Sequence, residues 1–205
     1  KVALTVLDVG RLLTEVAGFA NSPALLGGIE LIEGHRRSAI AIVHEFLQNQ
    51  GDAWTVSSAY LDRFVEQDRL LSGTDHPGEN EDQLSYMRHM AQIGRRLAEM
   101  HMALASTDKY PDFKPEATTA KDIDAWVNGV VSSATRAMDR LEKLKLRDQD
   151  RLLVDQLLAH RNDIGKMARS LLSEHHACMK IRHHGDFHLG QMLIVKDDIF
   201  IIDFD

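Results

Sequence analysis

The 205 residues carry 24 Lys and Arg against 31 Asp and Glu, a formal net charge of -7, and 44% of them are hydrophobic. This is enough apolar material for one good core, or for one large and one small lobe. The acidic balance, with no block of Lys and Arg, argues against nucleic acid or an anionic membrane as the main partner. A single cysteine, Cys178, excludes an internal disulfide and a cysteine-rich zinc module and suits a reducing cytoplasm. No apolar run approaches the roughly 20 residues of a membrane span, and nothing reads as a signal peptide.

Taken in order, Val2, Val6, Val9, Leu12, Leu13 and Val16 recur at helical spacing over 1–17, and Gly18 with Asn21-Ser22-Pro23 ends that helix. Strands are predicted over 25–32 and 38–47, around the turn Glu33-Gly34-His35. A polar connector, 48–52, leads to a helix over 56–71 capped by Ser57 or Ser58, and 72–83 reads as a surface loop. Leu84, Met87, Met90, Ile93, Leu97, Met100 and Leu104 form a helical stripe over 84–105, whose methionines read as core packing. Beyond the Pro-containing loop 110–119, Thr119 caps a helix over 120–145 through Ile123, Trp126, Val130, Ala134, Met138 and Leu141. A further helix is predicted over 148–177, with Leu153, Leu157, Ile164, Met167, Leu171 and Leu172 inside. Two short strands close the chain, 192–195 and 199–202, joined by Lys196-Asp197-Asp198. The pattern is α+β, dividing into a small lobe of helix and hairpin, 1–47, and a helical lobe, 48–205.

The densest chemistry lies in His183-His184-Gly185-Asp186-Phe187-His188-Leu189-Gly190-Gln191 and in Asp203-Phe204-Asp205. An acid, an amide-bearing side chain five residues later, and a second acid at the end of an apolar strand form the spacing of a phosphoryl-transfer site. Moving a phosphoryl group to a hydroxyl needs one carboxylate to orient the hydroxyl and accept its proton. It also needs oxygen ligands for magnesium. Asp186 is the candidate base, and Gln191 and Asp203 are the candidate metal ligands. The predicted hairpin would deliver both ligands to the same end. A histidine before Gly-Asp would orient the carboxylate, which suits His184, whereas His188 reads either as a substrate contact or as structural. Taken singly, each of these side chains could equally be a turn or cap residue.

His184-Gly185-Asp186-x-His188-x-x-Gln191 followed by Asp203-Phe204-Asp205 resembles the Brenner motif of the aminoglycoside phosphotransferase-like kinases. Gln191 in the usual Asn place, with the stretches Glu45-Phe46-Leu47-Gln48-Asn49-Gln50-Gly51-Asp52-Ala53-Trp54 and 94–105, is similar to the maltokinase branch, often fused to trehalose synthase. The resemblance implies a protein-kinase-like fold with a predominantly helical C-terminal lobe carrying a catalytic β-hairpin. It implies ATP and Mg2+ as cofactors, with transfer of the γ-phosphoryl group to maltose to give maltose 1-phosphate in trehalose or α-glucan metabolism. Glu45, Phe46 and Leu47 become the hinge whose backbone meets adenine, Trp54 walls a sugar site or seals the hinge, and a helix carboxylate near Asp8 pairs with a phosphate-binding lysine. Asp205 departs from the usual Asp-Phe-Glu. No G-x-G-x-x-G occurs, and Gly27-Gly28 is not followed by Lys-Ser or Lys-Thr, so no phosphate-cradling loop is legible. With Lys1 first and Asp205 inside the motif, both ends read as cut and the small lobe as incomplete.

Three alternatives stand beside this reading. One is an aminosugar (glucosamine) or aminoglycoside kinase of the same fold, with Asp52 and Asp205 around the amine. Another is a silent kinase-like module that binds a partner such as trehalose synthase. The last is a zinc-dependent hydrolase using His175, His176, Cys178, His183, His184, Asp186, His188 and Asp203, although their spacing fits no zinc signature such as H-E-x-x-H.

Overall fold

A computed structural model describes residues 6–71, 81–108, 110–173 and 178–204. The contacts divide the chain into two compact units, Lys1–Pro115 with Ile181–Asp205, and Glu116–Lys180.

The first unit opens with α1 (Val6–Arg11), which passes into a π-type turn over Leu12–Val16. The widened turn is visible in its bonds, where the Ala17 N–H reaches back five residues to the Leu12 carbonyl at 2.8 Å. Leu7, Val9, Leu12 and Leu13 are buried, so one apolar face of this short helix carries its stability. An antiparallel hairpin follows, β1 (Leu25–Glu33) and β2 (Arg36–His44), its register broken by bulges between Leu25 and Gly27 and between Ile29 and Glu30. Asp8 of α1 meets Arg37 of β2 at 3.4 Å, and Arg37 also pairs with Glu30 of β1, so this carboxylate ties the helix to the hairpin.

Two long helices come next, α2 (Ala53–Leu71) and α3 (Glu81–Leu104), joined face to face by Tyr60 stacked on Tyr86 with centroids 4.0 Å apart. The cap of α2 is Asp52 rather than Ser57 or Ser58. Its Oδ1 accepts from the Thr55 N–H at 2.9 Å, so the helix begins three residues earlier than the apolar pattern predicts. The stripe of α3 buries only toward its C-terminus, where Met100 and Leu104 are inaccessible while Leu84 and Met87 are exposed. Met100, Ala103 and Leu104 join Val9, Leu12, Leu13, Phe113, Ile201 and Phe204 in the main core. A second cluster, Ala53, Met192 and Ile199, is flanked by Ile93, Leu189 and Ile194. Each fully buried side chain of this size contributes roughly 1.5–3 kcal/mol.

The second unit holds β3 (Glu116–Ala117), α4 (Ala120–Lys143), α5 (Asp148–Ala159), α6 (Ile164–Ser173) and β4 (Met179–Lys180). Thr119 caps α4 as predicted, in a reciprocal box with Asp122. The buried residues of α4 are Ile123, Val127 and Met138, whereas Trp126 and Val130, at the edge of the same apolar stripe, are exposed. Among the described residues the helix predicted over 148–177 is two helices, and 174–177 lie outside them. A turn over 160–163 separates the two, and the Asp163 carbonyl accepts from the Met167 N–H at 2.9 Å where the chain restarts as α6. Leu153, Leu157, Met167 and Leu171 are exposed rather than inside. β3 pairs with β4 in a two-residue ladder that the loop composition of 110–119 conceals. No helix among the described residues is long and apolar enough to cross a membrane.

Candidate active site

The hairpin at the end of the chain is β5 (Met192–Val195) and β6 (Asp198–Ile201), joined by a two-residue turn in which Lys196 takes φ 57. Its register pairs Met192 with Ile201 and Ile194 with Ile199, so strand alternation turns these four side chains to one face. Three of the four are buried. The ladder continues one step past the strands, where the Ile202 N–H donates to the Gln191 carbonyl at 3.0 Å. Gln191 and Asp203 therefore emerge side by side at the open end, and the Gln191 Nε2 donates to Asp203 Oδ2 at 2.9 Å. Asp203 takes φ 62, a left-handed conformation that costs a non-glycine residue about 1 kcal/mol or more. The hinge between hairpin and site is thus a strained, exposed carboxylate.

Both edges of the hairpin are covered. Asn21 acts as a one-residue strand beside β6, its carbonyl accepting from Ile201 N–H at 2.8 Å and its amide donating to the Ile199 carbonyl at 3.0 Å. On the β5 side, Gln50 N–H donates to the Ile194 carbonyl, the Ile194 N–H donates to the Gly51 carbonyl, and Asp52 bridges to Leu193. Gln50 also accepts from the Lys196 N–H through Oε1 at 2.9 Å. The tip is clamped to α3, where Arg96 donates from Nε and Nη2 to both oxygens of Asp198, at 2.8 and 2.7 Å, and Gln92 adds a third bond at 2.8 Å. Burial pushes the Asp198 carboxyl up, but the bonds from Arg96 and Gln92 outweigh it and hold the group well below the usual carboxylate range. Arg96 is raised in turn by its bonds to Asp198 and Glu99.

The preceding loop is tied to the same end. Gly185 takes φ 104, which only glycine adopts without strain, and this sharp bend sits immediately before Asp186. His184 is 1% exposed, lies against Phe187 and Phe204, and donates from Nε2 to the Ile202 carbonyl at 2.8 Å. It thereby joins the Gly185 bend to the residue before Asp203. Asp186 is exposed, and its Oδ2 lies 3.8 Å from His188 Nε2. The His188 carbonyl accepts from the Gln191 N–H at 2.9 Å, so hydrogen bonds run from His188 through Gln191 to Asp203, with Asp186 next to His188 but not hydrogen-bonded to it.

The remaining predicted positions are more loosely connected to this end. Glu45 donates its N–H to Ala24, Phe46 is 88% exposed, and the Leu47 carbonyl accepts from the Asn49 side chain. This segment leads directly into the Gln50–Asp52 edge of the hairpin. Trp54 stands exposed in the first turn of α2. Asp52, offered above as an amine ligand, has both carboxylate oxygens on Thr55, and the Thr55 backbone N–H holds its carboxyl below the usual range. Asp8 is engaged by Arg37. Asp205, His175 and His176 lie outside the described residues. Of the residues that hold the hairpin, Asn21 and Asp198 read in the sequence only as turn residues, and Gln92 and Arg96 carry no site reading there. The available signal was a charged Arg96 on the flank of an otherwise apolar stripe.

Gln191 meets Asp203 through its amide Nε2, and the pair carries one amide oxygen and one carboxylate, oxygen donors of the hard type magnesium takes when phosphates and water complete its shell. The amide torsion of Gln is broad and two-fold, so Oε1 can be presented in place of Nε2. A zinc cage is not supported, because among the described residues no three His, Cys, Asp or Glu side chains group as a metal site.

Solved structures of similar fold include glucosamine kinase in one crystal form, at 24% identity and TM-score 0.70, covering 97% of this chain and 42% of that chain. Glucosamine kinase in complex with glucosamine, ADP and inorganic phosphate matches at 24% identity and TM-score 0.70, covering 97% and 43%. The chain thus spans less than half the length of these structures, and shares with them a protein-kinase-like fold. No curated protein sequence matches. The family model for the phosphotransferase enzyme family, APH, matches residues 36–205, well over half of the sequence and the whole of the hairpin region described above. The chain belongs to that phosphotransferase family.

Proposed function

We propose that this chain carries the catalytic centre of an ATP-dependent sugar kinase. The observation that supports it most is the meeting of Gln191 and Asp203 at the open end of one hairpin, with an exposed Asp186 on the loop that leads into it, 3.8 Å from His188. Asp186 orients an acceptor hydroxyl and takes its proton as the hydroxyl oxygen bonds to the γ-phosphorus of ATP. The bond from that phosphorus to the bridging β,γ-oxygen breaks, and ADP leaves. Gln191 and Asp203 would hold magnesium, which when bound neutralises charge on the phosphate oxygens. The backbone of Glu45, Phe46 and Leu47 would meet adenine between a small lobe ending near Leu47 and a helical lobe beyond it, and Trp54 would wall the sugar.

For the acceptor, the motif resemblance favours maltose, giving maltose 1-phosphate, with trehalose synthase as a partner domain and the cytoplasm as the setting. A second reading, glucosamine, is favoured by the glucosamine kinases among the structures of similar fold. With Asp52 engaged as a cap, that reading leaves Asp205 as the acid for the amine. Isothermal titration of magnesium-ATP into the full-length protein and its Asp203→Ala variant tests the kinase reading, with maltose and glucosamine added in turn. The expected result is nucleotide binding that depends on Asp203 and tightens with one sugar. Binding unaffected by Asp203→Ala would overturn Asp203 as a metal ligand, and no binding would leave a silent module instead.

A further inference from the structure

We infer that His188 is a positioning residue for Asp186, holding one carboxylate oxygen and leaving the other for the acceptor hydroxyl; this rests on Asp186 being the base. Phe187 is half-buried against both core clusters while the residues on either side of it, Asp186 and His188, are both exposed, so the two side chains reach solvent from the same short loop. His188 itself is extended, at φ -148 and ψ 171.

The imidazole is then oriented by its other nitrogen. The Gly190 N–H donates to His188 Nδ1 at 3.0 Å, which requires that nitrogen to be unprotonated and in the neutral ring puts the hydrogen on Nε2. Nε2 is the atom that faces Asp186 Oδ2, at 3.8 Å. This separation is beyond a direct hydrogen bond, but within reach of dipole attraction or of one bridging water. The ring is seated by the absence of a side chain at position 190, where a Cβ would lie 2.9 Å from His188 Cε1. Gly190 therefore both sets the tautomer and leaves room for the ring that uses it. A histidine that touched the acceptor instead would need Nε2 free for the sugar, and here it faces the carboxylate.

The test uses His188→Ala and Gly190→Ala, the second leaving the imidazole present but dislodged. With the full-length protein, kcat at saturating acceptor should fall on the order of tenfold in both variants, while the acceptor KM and the melting temperature stay near wild type. An unchanged kcat, or a raised acceptor KM at constant kcat, would overturn the inference. Long-range proton–nitrogen NMR of the histidine rings at pH 8 adds a readout independent of turnover, with His188 assigned by its loss in His188→Ala. The expected spectrum shows Nε2 protonated and shifted by Asp186→Asn. The opposite tautomer, or indifference to Asp186→Asn, would refute the pairing. If the wild-type protein phosphorylates no sugar, the kinase reading fails and the spectrum still decides whether His188 holds Asp186.

Discussion

Asp186 and Asp203 place different demands on the chain. Asp186 is exposed after a glycine bend and owes its direction to its neighbours, whereas Asp203 is bent into a left-handed conformation and held by the Gln191 amide. Replacing Asp186 by Asn removes the proton acceptor while keeping shape. kcat should fall about 10²–10⁴-fold with nucleotide affinity preserved, which steady-state kinetics paired with titration would show. Asp203→Asn keeps the tolerated backbone and an oxygen for Gln191 but loses the charge. It should raise the magnesium concentration needed for half-maximal rate, read from a magnesium titration at fixed ATP. These residues were legible because short-range spacing carries them. The tautomer of His188 was not, since it depends on a backbone N–H whose direction only the turn defines.

At the scale of elements, the hairpin is only as well placed as its anchors. Removing Arg96 by Arg96→Met leaves the part-buried Asp198 with fewer donors and should cost about 2 kcal/mol at neutral pH, discounted for the solvent that reaches the pair. Asp198→Asn should lose the same pairing, with a telling pH dependence. The folded Asp198 carboxyl lies below its unfolded value, so its stabilisation is complete above the unfolded value and fades as pH falls toward the folded one. The gap in urea stability between wild type and Asp198→Asn should therefore narrow below about pH 4. A constant gap down to strongly acid pH would show that the pair does not stabilise the fold. Sequence periodicity revealed β5 and β6 but not what holds them. Asn21 lies 178 positions from Ile199, Gln50 lies 146 from Lys196, and Arg96 lies 102 from Asp198, and no local pattern encodes such pairings.

For the molecule as a whole, the described site residues all fall in the unit formed by Lys1–Pro115 and Ile181–Asp205. The other unit has its own ties, with Lys180 bonded to Asp122 at 2.8 Å and drawing that carboxyl down to about 2. Thr119→Ala removes the cap of α4 and should cost about 1 kcal/mol while leaving magnesium-ATP affinity unchanged, measured by denaturant titration and calorimetry on the same preparation. A matching loss of affinity would mean that the helical unit governs the site. By itself the sequence determined the α+β pattern, the terminal hairpin, the cap at Thr119 and the likeness to phosphotransferases, because each is written in spacing a few residues long. Only the tertiary structure decided which residues of α3 and α4 are buried, that a turn over 160–163 splits a long helix, and that Asp52 is a cap. It alone joined Asn21, Gln50 and Arg96 to the strands bearing Gln191 and Asp203. Burial and long-range hydrogen bonding are settled by which surfaces the folded chain brings together, and amphipathic periodicity leaves several such choices open.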